Sequence, residues 1–163
     1  MNWEAIGAAA ELLGAIGVIA SLLYLATQIR QGTQTARDAA FRDIFTGVNF
    51  QLAELLKPEN SAALFRGLMD YKELVGPEKF QFDSLLAGYL NMVESSIIAN
   101  EAMLLDDDSM EQWGHYIRTR LLAYPGTLAW WEEARAYFSV EMRDWMARQV
   151  SKTDMNSDIW GIK

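Results

Sequence analysis

The sequence predicts an all-α protein in which one N-terminal transmembrane helix continues into a small cytoplasmic helical bundle. Three observations carry this. Residues 5–30, AIGAAAELLGAIGVIASLLYLATQIR, contain one acid, Glu11, and no base before Arg30. Beyond them, apolar residues recur at steps of three and four, the period of a helix with one buried face. No segment alternates apolar and polar residues as a half-buried strand does.

The first element is the apolar stretch. A helix rises ~1.5 Å per residue and a bilayer's hydrocarbon core is ~30 Å thick, so roughly 20 apolar residues cross it. Residues 5–30 are long enough. A cleaved signal peptide fits less well, because the opening Met-Asn-Trp-Glu has no base and no small-residue cleavage site follows a short apolar core. The stronger rival is a core helix of a soluble bundle, which can also be apolar all round. The uncharged length favours the membrane. Arg30, Arg37 and Arg42 follow the span and no base precedes it, so the C-terminal side is expected in the cytoplasm and the four-residue leader outside.

Within the span Gly7, Ala10, Gly14, Gly17 and Ser21 fall at alternating steps of three and four and form one small-residue seam. Lipid gives helices no hydrophobic reason to associate, and close backbone approach at such seams is what permits packing. The expected partners are therefore the lipid bilayer and either further copies of the chain or another membrane subunit. Glu11 has two readings. An acid at membrane depth is a functional candidate, as in a small channel or sensor. With the hydrocarbon span at residues 12–29, reaching ~27 Å, Glu11 instead sits at the outer headgroup level beside Trp3.

The domain division expected is 1–30 for the span and 31–163 for an acidic cytoplasmic domain. Glu4, Glu11 and Arg30 are the only charges in the first part, so nearly all of the net charge of −8 belongs to the second. That balance argues against nucleic-acid binding, which needs basic patches. The absence of cysteine excludes disulfides, thiolate metal sites and cysteine nucleophiles.

Phe41, Ile44, Phe45, Val48, Leu52 and Leu55 mark an amphipathic helix that can continue the span, with Gly32 and Thr33 as the only interruption and Pro58 as its stop. Asn60 or Ser61 is expected to cap a short helix carrying Leu64, Phe65, Leu68 and Met69. After Gly76-Pro77 comes the longest periodic stretch outside the span, with Phe82, Leu85, Leu86, Tyr89, Met92, Val93, Ser96, Ile97 and Asn100 as its inner stripe. Asp106 to Ser109 break it and cap a helix with Met110, Trp113, Ile117 and Leu121. Thr127 and Ser139 are the expected caps of the last two helices, and Trp160 and Ile162 in the tail are expected to dock on a neighbour.

Catalytic chemistry finds no motif. Asp106, Asp107 and Asp108 lack the spacing, central glycine and terminal glutamate of an EF-hand, and suit a helix N-terminus. Glu94 and Glu101 sit seven apart, but di-iron bundles need a histidine three residues after each glutamate, and His115 is the single histidine. His115 alone reads as a surface or core residue. Neither a phosphate-binding loop nor a dinucleotide fingerprint occurs. No cofactor, metal site or enzymatic activity is expected. The remaining signal is aromatic. Trp130 and Trp131 are adjacent and cannot face one way on a helix, so one of them, together with Trp160, is a candidate partner surface.

The opening W-E-x-I-G at residues 3–7, the exit Y-L-A-x-Q-I-R at 24–30, the F-R…G-L segment at 65–68 and P-G…W-W-E-x-x-R…F at 125–138 together resemble a family of uncharacterised bacterial single-span membrane-anchored helical proteins. The resemblance covers nearly the whole chain. It implies an all-α protein of the bacterial inner (cytoplasmic) membrane and no activity. Where the family pattern has Asn, this chain has Gly32, which would loosen the exit. The resulting expectation is a non-enzymatic protein that self-associates through its seam and acts as a scaffold or assembly protein, or else an accessory subunit of a larger membrane complex.

Overall fold

A computed structural model describes residues 3–162. Met1 and Asn2, half of the leader expected outside, and Lys163 at the end of the tail lie outside the described residues. The elements are six α-helices: α1 (Trp3–Leu55), α2 (Pro58–Asp70), α3 (Gly76–Glu101), α4 (Asp107–Ile117), α5 (Pro125–Ala134) and α6 (Val140–Lys152). No strand occurs among the described residues. By contacts the chain divides into two compact units, Met1–Ala39 and Ala40–Lys163.

The first unit lies within α1. The helix runs through Gly32 and Thr33 without a break. Glycine costs a helix about 1 kcal/mol relative to alanine, too little to stop a helix with good formers on both sides. Every described residue from 6 to 38 is exposed. That includes Leu12, Leu13, Ile16, Val18, Ile19, Leu22, Leu23 and Leu25, which together ring the helix. The hydroxyls of Ser21, Thr27 and Thr33 donate to the carbonyls of Gly17, Tyr24 and Ile29 at 2.8, 2.7 and 3.0 Å. The helix thus satisfies these polar groups by itself.

The second unit has a core. Lys57-Pro58 ends α1, and proline at the first position of α2 needs no N–H there. Asn60 does not cap α2 as expected. Its amide donates to the Glu54 carbonyl at 3.0 Å and so closes the end of α1. Ser61 likewise lies inside α2, donating to the Pro58 carbonyl. The caps expected at Asp106 and Ser139 are present, accepting from the N–H groups of Ser109 at 2.8 Å and Met142 at 3.2 Å. Thr127 is not a cap. Proline sets the start of α5 two residues earlier, and Thr127 is buried within its first turn.

α3 is the central helix: Phe82, Leu86, Leu90, Val93 and Ile97 are all buried in one cluster with Leu68 of α2, Ile117 of α4, Trp130 of α5 and Met142 of α6. Leu90 and Ala99, outside the expected stripe, are buried too, because α3 is covered on more than one side. α2 and α5 touch backbone to backbone. A Cβ on Gly126 would collide with the Gly67 carbonyl, and one on Gly67 would enter the Phe82 ring. Between α4 and α5 the chain makes a π-helical turn, Arg118–Leu122. Such turns are rare and re-aim side chains.

Candidate functional site

The sequence places candidate residues in both units, and the structure treats them differently. In the first unit Gly7, Ala10, Gly14, Gly17 and Ser21 are all exposed, and nothing lies within 4 Å of a Cβ built on Gly7, Gly14 or Gly17. The seam is open. Glu11 is exposed and makes no hydrogen bond or ion pair among the described residues.

In the second unit the tryptophans pack on the core of their own chain. Trp130 and Trp131 are both buried, so neither offers a surface to a partner. Adjacent residues point about 100° apart on a helix, and α5 is covered over that whole arc. The 3-10 turn Arg135–Tyr137 swings Phe138 back onto both rings, 6.4 Å from Trp130 and 5.3 Å from Trp131. Trp160 also meets its own chain. Its indole N–H donates to the Arg120 carbonyl at 3.2 Å, and its ring stands edge-on to Phe65. The tail is tied further by the Tyr124 hydroxyl, which donates to Asp158 and accepts from the Trp160 N–H. Trp130 and Trp131, expected to offer a partner surface, are thus core residues, and Trp160 is half-buried against its own chain.

Glu94 and Glu101 do not pair either. Glu94 accepts from the Ser139 N–H at 2.8 Å, placing a carboxylate at the start of α6, where the helix dipole favours it. Among the described residues no cluster of three or more His, Cys, Asp or Glu could hold a metal. The acidic residue Glu111 is held by Arg118 at 2.7 Å, and that hydrogen bond keeps its carboxyl below the usual range. Arg118 also donates to the buried Gln149 at 2.6 Å, which ties the π turn to α6.

What the sequence reading missed is a pair of adjoining cavities beside the last turns of α1. The larger, about 600 Å³, has Phe41, Ile44, Phe45 and Val48 on one wall and Tyr89, Trp113 and Tyr116 on the other. Asp106, Ser109 and Gln112 form its polar rim. The smaller, about 360 Å³, shares Gln51, Leu52, Leu55, Tyr89 and Tyr116 with it and continues past Leu64, Phe65, Leu85 and Leu86 to Arg120 and Trp160. Both volumes fall in the range of small-molecule sites, and both walls are of the usual apolar and aromatic kind.

Three aromatic rings fix the inner wall. Tyr89 stacks on Tyr116 at 5.4 Å and stands edge-on to Trp113 at 5.8 Å. Burial pushes the Tyr89 hydroxyl far above its ordinary value, so it stays protonated and can donate. Arg120, within the π turn, lies over the Trp160 ring at 4.5 Å and near the Tyr116 ring at 5.7 Å. It is half-buried and makes no ion pair among the described residues. The sequence signal that could have found it is slight: a basic residue three after Ile117, on the apolar side of a helix whose period the π turn shifts. Comparison with protein-family models, curated proteins and solved structures finds no match for this chain.

Proposed function

We propose that this chain is a non-enzymatic, membrane-anchored assembly protein. The first half of α1 crosses the bacterial inner membrane, its seam packs on a copy of itself, and the acidic helical domain is presented to the cytoplasm. The observation that carries the reading is the total exposure of an apolar helix: residues 6–29 bury nothing within the chain. Apolar surface on this scale is unfavourable in water by about 25 cal/mol per Å². A bilayer removes that cost on every face at once, whereas a single partner helix covers one. The open backbone at Gly7, Gly14 and Gly17 supports helix pairing, since close approach there meets no side chain. Orientation follows from Arg30, Arg37 and Arg42 on the cytoplasmic side. The bacterial setting rests on the family resemblance alone.

The test is the mass of the complex extracted gently from native membranes. The expected result is a multiple of the 18.4 kDa chain that falls to one copy when Gly14 and Gly17 are both replaced by leucine. An unchanged mass in that variant removes the seam as the interface. A complex that requires other proteins replaces self-assembly by the role of an accessory subunit.

A further inference from the structure

The two adjoining cavities have a polarity. Their apolar lining includes Leu52, Leu55 and Leu86, and each cavity takes a side chain of a different charge into its lining. Asp106 lies on the polar rim of the larger cavity. Arg120 lines the smaller, beside Tyr116 and Trp160. The protein as a whole is strongly acidic, so an anion is repelled from most of its surface and meets a cation here.

Arg120 is an unusual cation for a surface of this kind. Its positive charge rests against the faces of Trp160 and Tyr116, which leaves the donor edge of the fork without a carboxylate. Arg66 and Arg118, by contrast, each hold a glutamate at 2.8 and 2.7 Å. The hydroxyls of Tyr89 and Tyr116 and the amide of Gln51 belong to the same lining. A guanidinium fork suits a planar, singly charged carboxylate, which it can bind through two parallel N–H···O bonds. The lining beyond it is almost entirely apolar, which suits the acyl chain of such a carboxylate.

We propose that the helical domain binds a free long-chain fatty acid, with the carboxylate on Arg120 and the acyl chain along Leu52, Leu55 and Leu86 toward Phe41 and Phe45. The π turn serves the site by pointing Arg120 into the cavity while Arg118, two residues earlier, remains locked to Glu111 and Gln149. This proposal rests on the second unit alone and stands whether or not α1 pairs with a copy.

The experiment uses the full chain in nanodiscs of phosphatidylcholine and oleate labelled with 13C at the carboxyl carbon. The expected result is a protein-bound carboxyl resonance distinct from oleate in empty nanodiscs, saturating at one per chain. Arg120→Gln should weaken binding about tenfold or more, because a charge-assisted pair is lost. Arg120→Lys should recover part of it. Methyl oleate, which tests the anion without altering the protein, should fail to compete in the wild type. The proposal is overturned if no distinct resonance appears, if methyl oleate competes as well as oleate, or if Arg120→Gln binds normally. It is equally overturned if phosphatidylglycerol nanodiscs, and not oleate, give an Arg120-dependent change in the tryptophan emission.

Discussion

Two glycines on helices, Gly14 and Gly126, meet opposite surroundings. Around Gly14 a new Cβ meets nothing within 4 Å; around Gly126 it meets the Gly67 carbonyl. The same contrast holds for the leucines. Leu22 and Leu23 stand 60% and 64% exposed, whereas Leu68 and Leu86 are essentially covered. Residues 6–38 and the helical domain thus use similar apolar side chains for different ends. In the domain those side chains fold the chain. In the first half of α1 they fold nothing, so their solvent must come from outside the chain. An apolar residue reveals that burial is needed, but only the structure reveals whether the chain itself provides it.

The largest difference between the regions should appear on truncating a core ring. Phe82→Ala should cost the domain about 3–5 kcal/mol, while Leu23→Ala should leave its unfolding midpoint within about 0.5 kcal/mol of wild type. Denaturant unfolding of the full chain, followed by tryptophan emission, reads both. Equal losses would mean that the first half of α1 is packed on the domain after all.

Next come the glycines. Gly126→Ala forces α2 and α5 apart and should destabilise the domain by about 3 kcal/mol. Gly14→Ala should leave the same unfolding curve in place, and cross-linking yield in membranes should report any change at the seam.

A smaller effect is expected within the domain at Arg118. Arg118→Met removes the donor to Gln149, whose amide oxygen is then buried without a partner, at a cost of about 1–3 kcal/mol. The paired control, Arg30→Met in the first unit, should leave domain unfolding unchanged.

The smallest effect is one of pH. Burial raises the hydroxyls of Tyr71, Tyr89 and Tyr124 above the ordinary 10.0. The folded domain keeps those protons where the unfolded chain releases them. Stability is therefore complete below about pH 10 and falls as pH rises beyond it. Absorbance at alkaline pH should show these three tyrosines ionising only with unfolding.

Much of the fold could be read from residues. The helix stop at Pro58, the caps at Asp106 and Ser139 and the central stripe from Phe82 to Ile97 each follow from a local rule of capping or period. Asn60 and Thr127 misled because capping residues are favoured near helix starts generally, while proline at Pro58 and Pro125 set the actual starts earlier. Trp130 and Trp131 misled for a different reason. Two adjacent rings look as though one must face outward, and only the return of Phe138 through a 3-10 turn covers the second. Arg120 was illegible because its direction depends on a π turn, which leaves no pattern in the sequence. The open seam lay in plain view, since spacing alone places Gly7, Gly14 and Gly17 on one line.

The membrane reading of α1 is tested most directly by cysteine scanning, which the absence of native cysteine makes clean. Leu13→Cys, Val18→Cys and Ile19→Cys point to well-separated sides of the helix, and Ser84→Cys marks the exposed surface of the domain. In native membranes treated with a water-soluble maleimide, the three α1 positions should all resist labelling while Ser84→Cys reacts fully. If any one of the three labels as readily as Ser84→Cys, that side of the helix faces water, and α1 does not cross the bilayer.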